Sequence, residues 1–219
     1  MNLIAHRGLH NNEIKENSKE AITEAFKAGY DSVEIDIRST KDNIIILSHG
    51  ATVKNVFGIE LEISAIKYED LKLSCKGIVT FEEVIEQFRT KHLLVEIKDI
   101  KTFENLNIKL LPKAFSFQSF FLEGISALAK EIPNDCGLLF PSYNFNLGIS
   151  FLFKRKVFWK KLKENNIKFL SLYSFLVNKK VIAQAEKSEI ELYVWTVKEK
   201  SQLEKYKSLG VKNIITEVL

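Results

Sequence analysis

Short apolar runs alternate with amphipathic stretches along the whole of this 219-residue sequence. The apolar runs predict eight strands, and most stretches between them repeat their apolar positions about every 3.6 residues, as helices do. Strands joined by helical crossovers predict an α/β fold, a closed (β/α)8 or TIM barrel rather than an open sheet. The predicted strands span residues 3–6, 32–37, 93–98, 114–119, 136–140, 168–173, 191–197 and 213–216.

Two of the predicted helices are marked most clearly by their ends. The stretch 17–29 carries its apolar side chains on one face and ends at Gly29, a residue type that commonly follows a helix. In the stretch 80–90, Thr80 and Glu83 have the spacing of a capping box, and the apolar residues that follow form a buried stripe.

Two segments interrupt the regular alternation. Residues 38–43 have the composition of a tight turn and lead into a further apolar run, 44–47. This pattern predicts a β-hairpin that projects from the second strand and ends at residues 48–50. The connection 99–113, after the third strand, is short and ends near Pro112. We therefore expect a shortened helix there, or none.

Composition indicates one globular domain spanning residues 1–219. No low-complexity linker divides the chain, and a net charge of only +4 argues against a nucleic-acid partner. No apolar stretch reaches the roughly 18 residues that a membrane-spanning helix needs. Cys75 and Cys136 lie far apart and lack metal-ligand spacing, which predicts reduced thiols. Because the N-terminus has no leader-like pattern, we expect a cytoplasmic location.

Carboxylates occur inside two predicted strands, where they are unusual. The period of a strand places Glu34 and Asp36 on one face, and the next barrel strand repeats the pattern with Glu96 and Lys98. Three acids that converge inside a barrel repel one another unless cations neutralise them. Oxygen ligands suit a hard ion such as Mg²⁺ or Ca²⁺. The alternative is a buried salt-bridge network of these acids with Arg7 and Lys98.

The first predicted strand ends in a basic segment, at the end of the barrel where active sites of this fold lie. There His6 is followed by Arg7, whose planar fork suits a phosphate, and by Gly8, which permits a sharp backbone turn. His49, at the end of the predicted hairpin, supplies a second imidazole. Two histidines beside a metal ion and a phosphate-binding cation favour acid–base cleavage of a phosphodiester.

A set of short motifs occurs in order along the whole chain. They are Ala5-His6-Arg7-Gly8, Glu16-Asn17-Ser18, Val33-Glu34-Ile35-Asp36 followed by Thr40-Lys41-Asp42, Ser48-His49, Val95-Glu96-Ile97-Lys98, Phe117-Gln118-Ser119-Phe120, Val194-Trp195-Thr196-Val197, and Gly210-Val211 followed by Ile214-Ile215-Thr216. Each motif is unspecific alone, but their combination resembles the glycerophosphodiester phosphodiesterase family.

The resemblance implies a TIM barrel that hydrolyses small-molecule glycerophosphodiesters to glycerol 3-phosphate and an alcohol. It implies one divalent cation, Mg²⁺ or Ca²⁺, and attack by the glycerol 2-hydroxyl on phosphorus, with a cyclic phosphate as a possible intermediate. By this resemblance, the acid–base pair is His6 and His49, the metal ligands are Glu34, Asp36 and Glu96, and the phosphate is bound by Arg7 and Lys98.

The resemblance also assigns residues around this centre. It places Glu16 next to the metal site and Ser119 in the surrounding or substrate-binding shell. Trp195 and Phe120 would pack against the glycerol end of the substrate. The segment of about residues 44–79 corresponds to a small insertion beside the barrel mouth.

Three positions depart from the family pattern. Gly50 follows the second histidine where the family usually has Asp, Lys198 stands where it often has Asn or Asp, and Glu217 replaces the Asp of the last strand. An imidazole needs a hydrogen bond to its second nitrogen to fix its tautomer and orientation. The departures at Gly50 and Lys198 therefore predict slower catalysis or a changed substrate.

Two other functions stay open at this point. The stretch 145–163 interleaves aromatic residues with cations, which is typical either of a membrane-surface element or of an outer helix packed on strand six. The first interpretation favours a lysophospholipase-D-like or cyclising activity on lipids. The three departures alone suggest a non-catalytic barrel that binds a phosphorylated metabolite. The sequence does not indicate the oligomeric state.

Overall fold

The computed structural model describes residues 1–141 and 156–219, and a closed parallel β-barrel is its centre. The strands are β1 Asn2–His6, β2 Ser32–Ser39, β3 Ile45–Leu47, β4 Thr52–Lys54, β5 Glu60–Glu62, β6 Leu93–Ile97, β7 Phe115–Ser119, β8 Cys136–Phe140, β9 Phe169–Tyr173, β10 Glu191–Val197 and β11 Asn213–Thr216.

The α-helices lie between the barrel strands or in the insertion after β3. They are α1 Lys19–Lys27, α2 Tyr68–Ser74, α3 Phe81–Phe88, α4 Ile100–Asn105, α5 Leu122–Glu131, α6 Lys156–Glu164, α7 Lys179–Lys187 and α8 Lys200–Ser208. Single 3₁₀ turns occur at Ile63–Ala65, Ile108–Leu110 and Ser174–Leu176. In the described part of the chain, no helix is long and apolar enough to cross a membrane.

The barrel closes because β1 pairs in parallel with both β2 and β11. The remaining neighbours follow in the order β2, β6, β7, β8, β9, β10 and β11, and every pairing among them is parallel. These are the eight strands predicted from the sequence, with each end within two residues of its predicted position. The predicted TIM barrel is therefore confirmed.

The side chains along β2 alternate between an apolar outer face and an acidic face inside the barrel. Val33, Ile35 and Ile37 are fully buried in the large core between the strands and the outer helices. Glu34 and Asp36 lie on the opposite face, inside the barrel, as a period of two residues requires. A smaller apolar cluster fills the rest of the interior, and its buried members are Ile4, Leu94, Phe169 and Ile215.

The two helices with clear end signals form as predicted. The Ser18 side chain accepts a hydrogen bond from the backbone N–H of Ala21 and so caps α1, and Gly29 adopts a positive φ of 96° after it. In α3, Thr80 and Glu83 form both hydrogen bonds of the capping box. Because each helix is fixed at its start, its apolar face meets the barrel in a defined register.

Both predicted interruptions of the barrel are present. After β2 the chain turns back into β3, which pairs antiparallel with β2, and the insertion continues through the β4–β5 hairpin and α2. The insertion has its own small core, to which Leu71 and the free thiol Cys75 belong. The connection after β6 contains only the six-residue α4 and one 3₁₀ turn.

The aromatic and basic stretch predicted at 145–163 is described only in its second half. Residues 145–155 lie outside the described residues. In α6, Trp159 and Leu162 are buried in the main core, while Val157 and the lysines of the helix are exposed. This part of the stretch is an outer helix packed on the barrel.

Candidate active site

The C-terminal ends of the barrel strands surround a cavity of about 620 Å³. Its position is the one in which enzymes of this fold place their active sites. The cavity is lined by His6, Arg7, Glu34, Arg38, His49, Glu96, Lys98, Gln118, Phe120, Phe121, Leu139, Trp195, Thr196, Lys198 and Ile215. Six of the seven residues that the sequence predicts as the central site therefore line one cavity, and the seventh, Asp36, lies beneath it.

Three carboxylates from adjacent strands meet at the base of this cavity. Asp36 on β2 and Glu96 on β6 are direct register partners, and Glu34 lies two residues before Asp36 on the same face. Each side chain offers an oxygen atom, and these three atoms lie within 4.8 Å of one another. All three residues are buried, with exposed fractions of 2% for Glu34, 1% for Asp36 and 7% for Glu96.

Two cations contact these acids without saturating them. Lys98 Nζ forms an ion pair with Glu96 Oε1 and lies 3.3 Å from Asp36 Oδ1, and Arg7 Nε lies 3.3 Å from Asp36 Oδ2. Within the described residues, Asp36 Oδ1 is nevertheless buried without a hydrogen bond. Three buried carboxylates face two cations, so one negative charge is left uncompensated when all five groups are ionised.

The pKa values of the three acids are shifted in different directions by their surroundings. Burial raises the pKa of Glu34 well above its ordinary value, and the charges of Asp36 and Glu96 add to that effect. Burial, followed by the charge of Asp36, raises the pKa of Glu96 to about 7. Burial opposes ionisation of Asp36 too, but Lys98 and Arg7 outweigh it and lower the pKa of this carboxyl. The cluster therefore lacks positive charge in the absence of a bound cation.

The residues present fit a hard divalent ion. The three carboxylates point oxygen atoms toward one another, and one of these residues, Asp36, has an oxygen, Oδ1, without a hydrogen bond among the described residues. Mg²⁺ and Ca²⁺ bind donor sets of this kind. The salt-bridge network expected as the alternative also exists, through Arg7 and Lys98, but it sets two cations against three carboxylates.

The turn after β1 positions Arg7 over the acids. Arg7 and Gly8 both have positive φ, 57° and 80°, and a Cβ at Gly8 would lie only 2.6 Å from the backbone of Ala21. Only glycine fits that position. The turn lets the Arg7 backbone N–H donate to Glu34 Oε2 at 3.1 Å, while its guanidinium bonds Glu16 Oε2 at 3.0 Å.

The neighbouring Asn17 clamps the central acid. Its side-chain amide donates to Asp36 Oδ2 at 2.9 Å, and its side-chain oxygen accepts from the Asp36 backbone N–H at 2.9 Å. Its own backbone N–H donates to the carbonyl of Arg7. The motif Glu16-Asn17-Ser18 thus contacts Arg7 through its first residue, fixes Asp36 through its second and caps α1 through its third.

His6 is held by the carboxylate of Glu217, one of the three departures from the family pattern. His6 Nδ1 lies 3.0 Å from Glu217 Oε1, and Lys198 Nζ lies 3.1 Å from the same oxygen. The hydrogen bond with His6, followed by that with Lys198, lowers the pKa of Glu217 to about 2, so this carboxylate can only accept. The Nδ1–H of His6 therefore donates, and Nε2 has no hydrogen-bond partner in the part of the chain that the structure describes.

His49 reaches the same cavity from the loop after β3. Arg38 fixes this loop, since its Nε and a terminal nitrogen donate to the His49 carbonyl at 3.2 and 3.1 Å. Burial, with the charges of Lys98 and Arg7, lowers the pKa of His49 to about 4 against the opposing effect of Asp36. Within the described residues the imidazole ring has no hydrogen-bond partner, as expected from Gly50 in place of an acid.

Aromatic side chains form one wall of the cavity. Trp195 Nε1 donates to the carbonyl of Ser171 at 2.9 Å, which fixes the indole, and the Phe120 ring meets it edge-on at 5.8 Å between centroids. On its other side Trp195 contacts Tyr173 at 5.3 Å, and Tyr173 contacts Phe175 at 5.4 Å. The aromatic row leads from the cavity to the highly exposed Phe175.

Ser119, predicted for the surrounding or substrate-binding shell, does not line the cavity. Its hydroxyl is fully buried outside the cavity and donates to the carbonyl of Ile97 at 2.7 Å. The neighbouring Gln118 lines the cavity instead and accepts a hydrogen bond from Ser171. Sequence reasoning missed Gln118, although strand alternation in the motif at 117–120 could have placed it inside the barrel.

Comparisons with known proteins identify the family of this sequence and relatives with the same fold. The sequence matches the model of the Glycerophosphoryl diester phosphodiesterase family over residues 6–219. A glycerophosphodiester phosphodiesterase of Caldanaerobacter subterraneus subsp. tengcongensis is 25% identical over 244 residues, which cover 98% of this chain and 93% of the relative. Lysophospholipase D GDPD1 of Homo sapiens is 25% identical over 260 residues, which cover 98% of this chain and 82% of the relative. The crystal structure of the glycerophosphodiester phosphodiesterase of Thermotoga maritima has a TM-score of 0.82 at 26% identity, with 98% of this chain and 93% of that chain covered.

Proposed function

The chain belongs to the glycerophosphoryl diester phosphodiesterase family, and we propose that it hydrolyses glycerophosphodiesters to glycerol 3-phosphate and an alcohol with the help of one divalent cation. The observation that supports this most directly is the buried cluster of Glu34, Asp36 and Glu96 at the base of a cavity lined by two imidazoles. The reaction class follows from the family, whose relatives are named as enzymes of this activity.

The three carboxylates would hold the ion, which as Mg²⁺ or Ca²⁺ would polarise the phosphoryl oxygens and offset their charge. Arg7 and Lys98 would bind the remaining phosphate oxygens. Both cations already form ion pairs with Asp36 or Glu96 at the edge of the acid cluster. When a phosphate binds there, Arg7 and Lys98 would give up part of these ion pairs and bind the phosphate oxygens instead.

His6 and His49 would carry the proton transfers. One imidazole takes the proton from the attacking hydroxyl, and the other gives a proton to the leaving alkoxide. Glu217 would keep His6 in the tautomer that carries its proton on Nδ1, so that Nε2 can act on the substrate. We propose that Glu217, one residue past the end of β11, replaces the family's aspartate in this task. Lys198 would hold the carboxylate in place from its other side.

The first test is release of glycerol 3-phosphate from glycerophosphocholine and glycerophosphoethanolamine, with Mg²⁺ or Ca²⁺ and after removal of metal by EDTA. We expect turnover that EDTA abolishes and that added metal restores. His6→Ala and His49→Ala should each lower kcat at least about a hundredfold, the usual contribution of an acid or base. His92→Ala is the matched control, because His92 is exposed at the other end of the barrel. Equal activity in all four proteins would exclude the proposed acid–base pair.

The aromatic row favours a second substrate class, lysophospholipids. If the glycerol end of the substrate packs on Trp195, an acyl chain on that glycerol would continue along Tyr173 to Phe175. A large exposed aromatic side chain beside an active site has this use, and one relative is named a lysophospholipase D. Turnover of lysophosphatidylcholine that falls in Phe175→Ser, with turnover of glycerophosphocholine unchanged, would support it. Equal loss with both substrates, or no turnover of lysophosphatidylcholine, would exclude it.

The third hypothesis from the sequence, a non-catalytic barrel, loses its basis. It depended on the departures at Gly50, Lys198 and Glu217. Two of these three residues contact each other and supply His6 with a hydrogen-bond acceptor. Only the departure at Gly50 leaves an imidazole without its expected partner.

A further inference from the structure

Arg38 lines the cavity but is not among the residues that would hold the ion, bind the phosphate or transfer protons. It follows Glu34 and Asp36 on the inward face of β2, at the C-terminal end of the strand. Its side chain is mostly buried, with an exposed fraction of 17%. Because a buried guanidinium is unfavourable unless its donors are bonded, the contacts of Arg38 indicate its role.

Each of the three guanidinium nitrogens of Arg38 has a protein partner. Nε and Nη2 donate to the backbone carbonyl of His49 at 3.2 and 3.1 Å, and Nη1 lies 3.5 Å from Asp99 Oδ2. Asp99 is itself fixed, because its other oxygen accepts from the backbone N–H and the hydroxyl of Thr102 at 2.8 and 2.7 Å. The guanidinium therefore joins the start of α4 to the loop that carries His49.

The loop after β3 needs such a support because of Gly50. Glycine is the residue with the most backbone freedom, and at this position it leaves the His49 imidazole without an adjacent acid. Hydrogen bonds to the backbone replace that support. The N–H of Ser48 donates to the Asp36 carbonyl at 3.0 Å, and the Ser48 hydroxyl donates to the Gly50 carbonyl at 3.0 Å. Between these two bonds, the His49 carbonyl is fixed by Arg38.

We propose that Arg38 is a positioning residue for His49, because it fixes the peptide plane of this residue and so directs the imidazole into the cavity. The backbone determines the direction in which a side chain leaves it, and a proton-transferring group must lie within hydrogen-bond reach of the reacting oxygen. This role rests on the proposed function, in which His49 is one of the two acid–base groups. The alternative is direct contact of Arg38 with the phosphate, and the existing partners of its three nitrogens argue against it.

The test is a double-mutant cycle in the turnover of glycerophosphocholine with Mg²⁺ or Ca²⁺. Arg38→Gln should lower kcat about tenfold or more and leave KM nearly unchanged, because a displacement of about 1 Å in a catalytic group can lower a rate about a hundredfold. In the His49→Ala protein the same change should have no further effect, since the imidazole that Arg38 positions is gone. Arg89→Gln is the matched control and should keep both constants, because Arg89 is exposed at the end of α3 and does not line the cavity.

Two kinetic results would overturn the proposal. A rise in KM with kcat unchanged would place Arg38 on the substrate. An equal loss of kcat in the parent and His49→Ala backgrounds would show that Arg38 does not act through the imidazole. Arg38→Lys keeps the charge and can bond the His49 carbonyl through one donor, so it should recover part of the kcat lost in Arg38→Gln.

A crystal structure of the Arg38→Gln protein tests the positioning without any measurement of turnover. The His49 imidazole should lie about 1 Å or more from its place in the parent protein, or occupy more than one position. An imidazole that keeps its place would overturn the proposal. Full activity of His49→Ala, in contrast, would exclude the proposed acid–base pair, and the crystal structure would still show whether Arg38 fixes the ring.

Discussion

Binding of Mg²⁺ or Ca²⁺ to the acid cluster should release protons near neutral pH. In the metal-free protein, burial and the charge of Asp36 raise the pKa of Glu96 to about 7, and the pKa of Glu34 is also raised. Metal coordination requires the ionised carboxylates, so protons held by Glu34 and Glu96 must leave as the ion binds. Metal affinity therefore rises as the pH increases through about 7.

The size of this effect follows from the shifted pKa. At about pH 7 Glu96 alone contributes release of about half a proton for each ion bound, and Glu34 adds to it. A group with a pKa of about 7 makes the apparent affinity about tenfold higher at about pH 8 than at about pH 6. Isothermal titration calorimetry in two buffers with different ionisation enthalpies measures both quantities.

A charge-neutral variant isolates the contribution of Glu96. Glu96→Gln should bind metal more weakly and should lose the part of the proton release that belongs to this residue. Without metal, it should also be more stable than the parent at about pH 8, because a folded pKa raised from about 4.5 to about 7 costs about 3 kcal/mol once the carboxyl ionises. Metal affinity that stays constant between about pH 6 and pH 8, or proton uptake on binding, would show that Glu96 is already ionised in the metal-free protein.

Three further predictions concern the residues around the cluster. Glu217→Gln should lower kcat about tenfold to a hundredfold with little change in KM, and Glu217→Asp should restore part of the lost kcat. Glu191→Gln is the control, because Glu191 lies on β10 at the other end of the barrel, and it should change neither constant. Asn17→Ala should lower the free energy of unfolding by about 1 to 3 kcal/mol, measured in urea, because the backbone N–H and carboxylate of Asp36 lose a buried partner. Trp195→Ala should raise KM for glycerophosphodiesters more than it lowers kcat. The opposite result in steady-state kinetics, a loss mainly in kcat, would mean that the indole acts in the transition state rather than in substrate packing.

The strands and the acid cluster were predictable because local pattern determines them. In β2, alternation alone assigns Val33 and Ile35 to the outer core and Glu34 to the barrel interior. The N-terminal ends of the helices at Ser18 and Thr80 were predictable for the same reason, since a helix cap depends on a few neighbouring residues. The shortened connection after β6 followed from the short stretch between two clear strands.

The hydrogen bonds between distant residues were not predictable. His6 and Glu217 are 211 residues apart, and only closure of the barrel between β1 and β11 brings them together. The sequence therefore showed Glu217 and Lys198 as separate departures, although they share one carboxylate oxygen in the structure. Likewise, the contact of Asn17 with Asp36 depends on the positive φ of Asn17, for which single-sequence patterns give no reliable signal.

The most direct test of the account is a crystal structure of this protein soaked with Ca²⁺ and glycerol 3-phosphate. We expect an ion within about 2.3 to 2.6 Å of oxygens from Glu34, Asp36 and Glu96, with the phosphate against Arg7 and Lys98. A cluster that keeps its ion pairs with Arg7 and Lys98 and binds no ion at millimolar Ca²⁺ would contradict it. The acids would then be a structural salt-bridge network, as the alternative interpretation of the sequence holds.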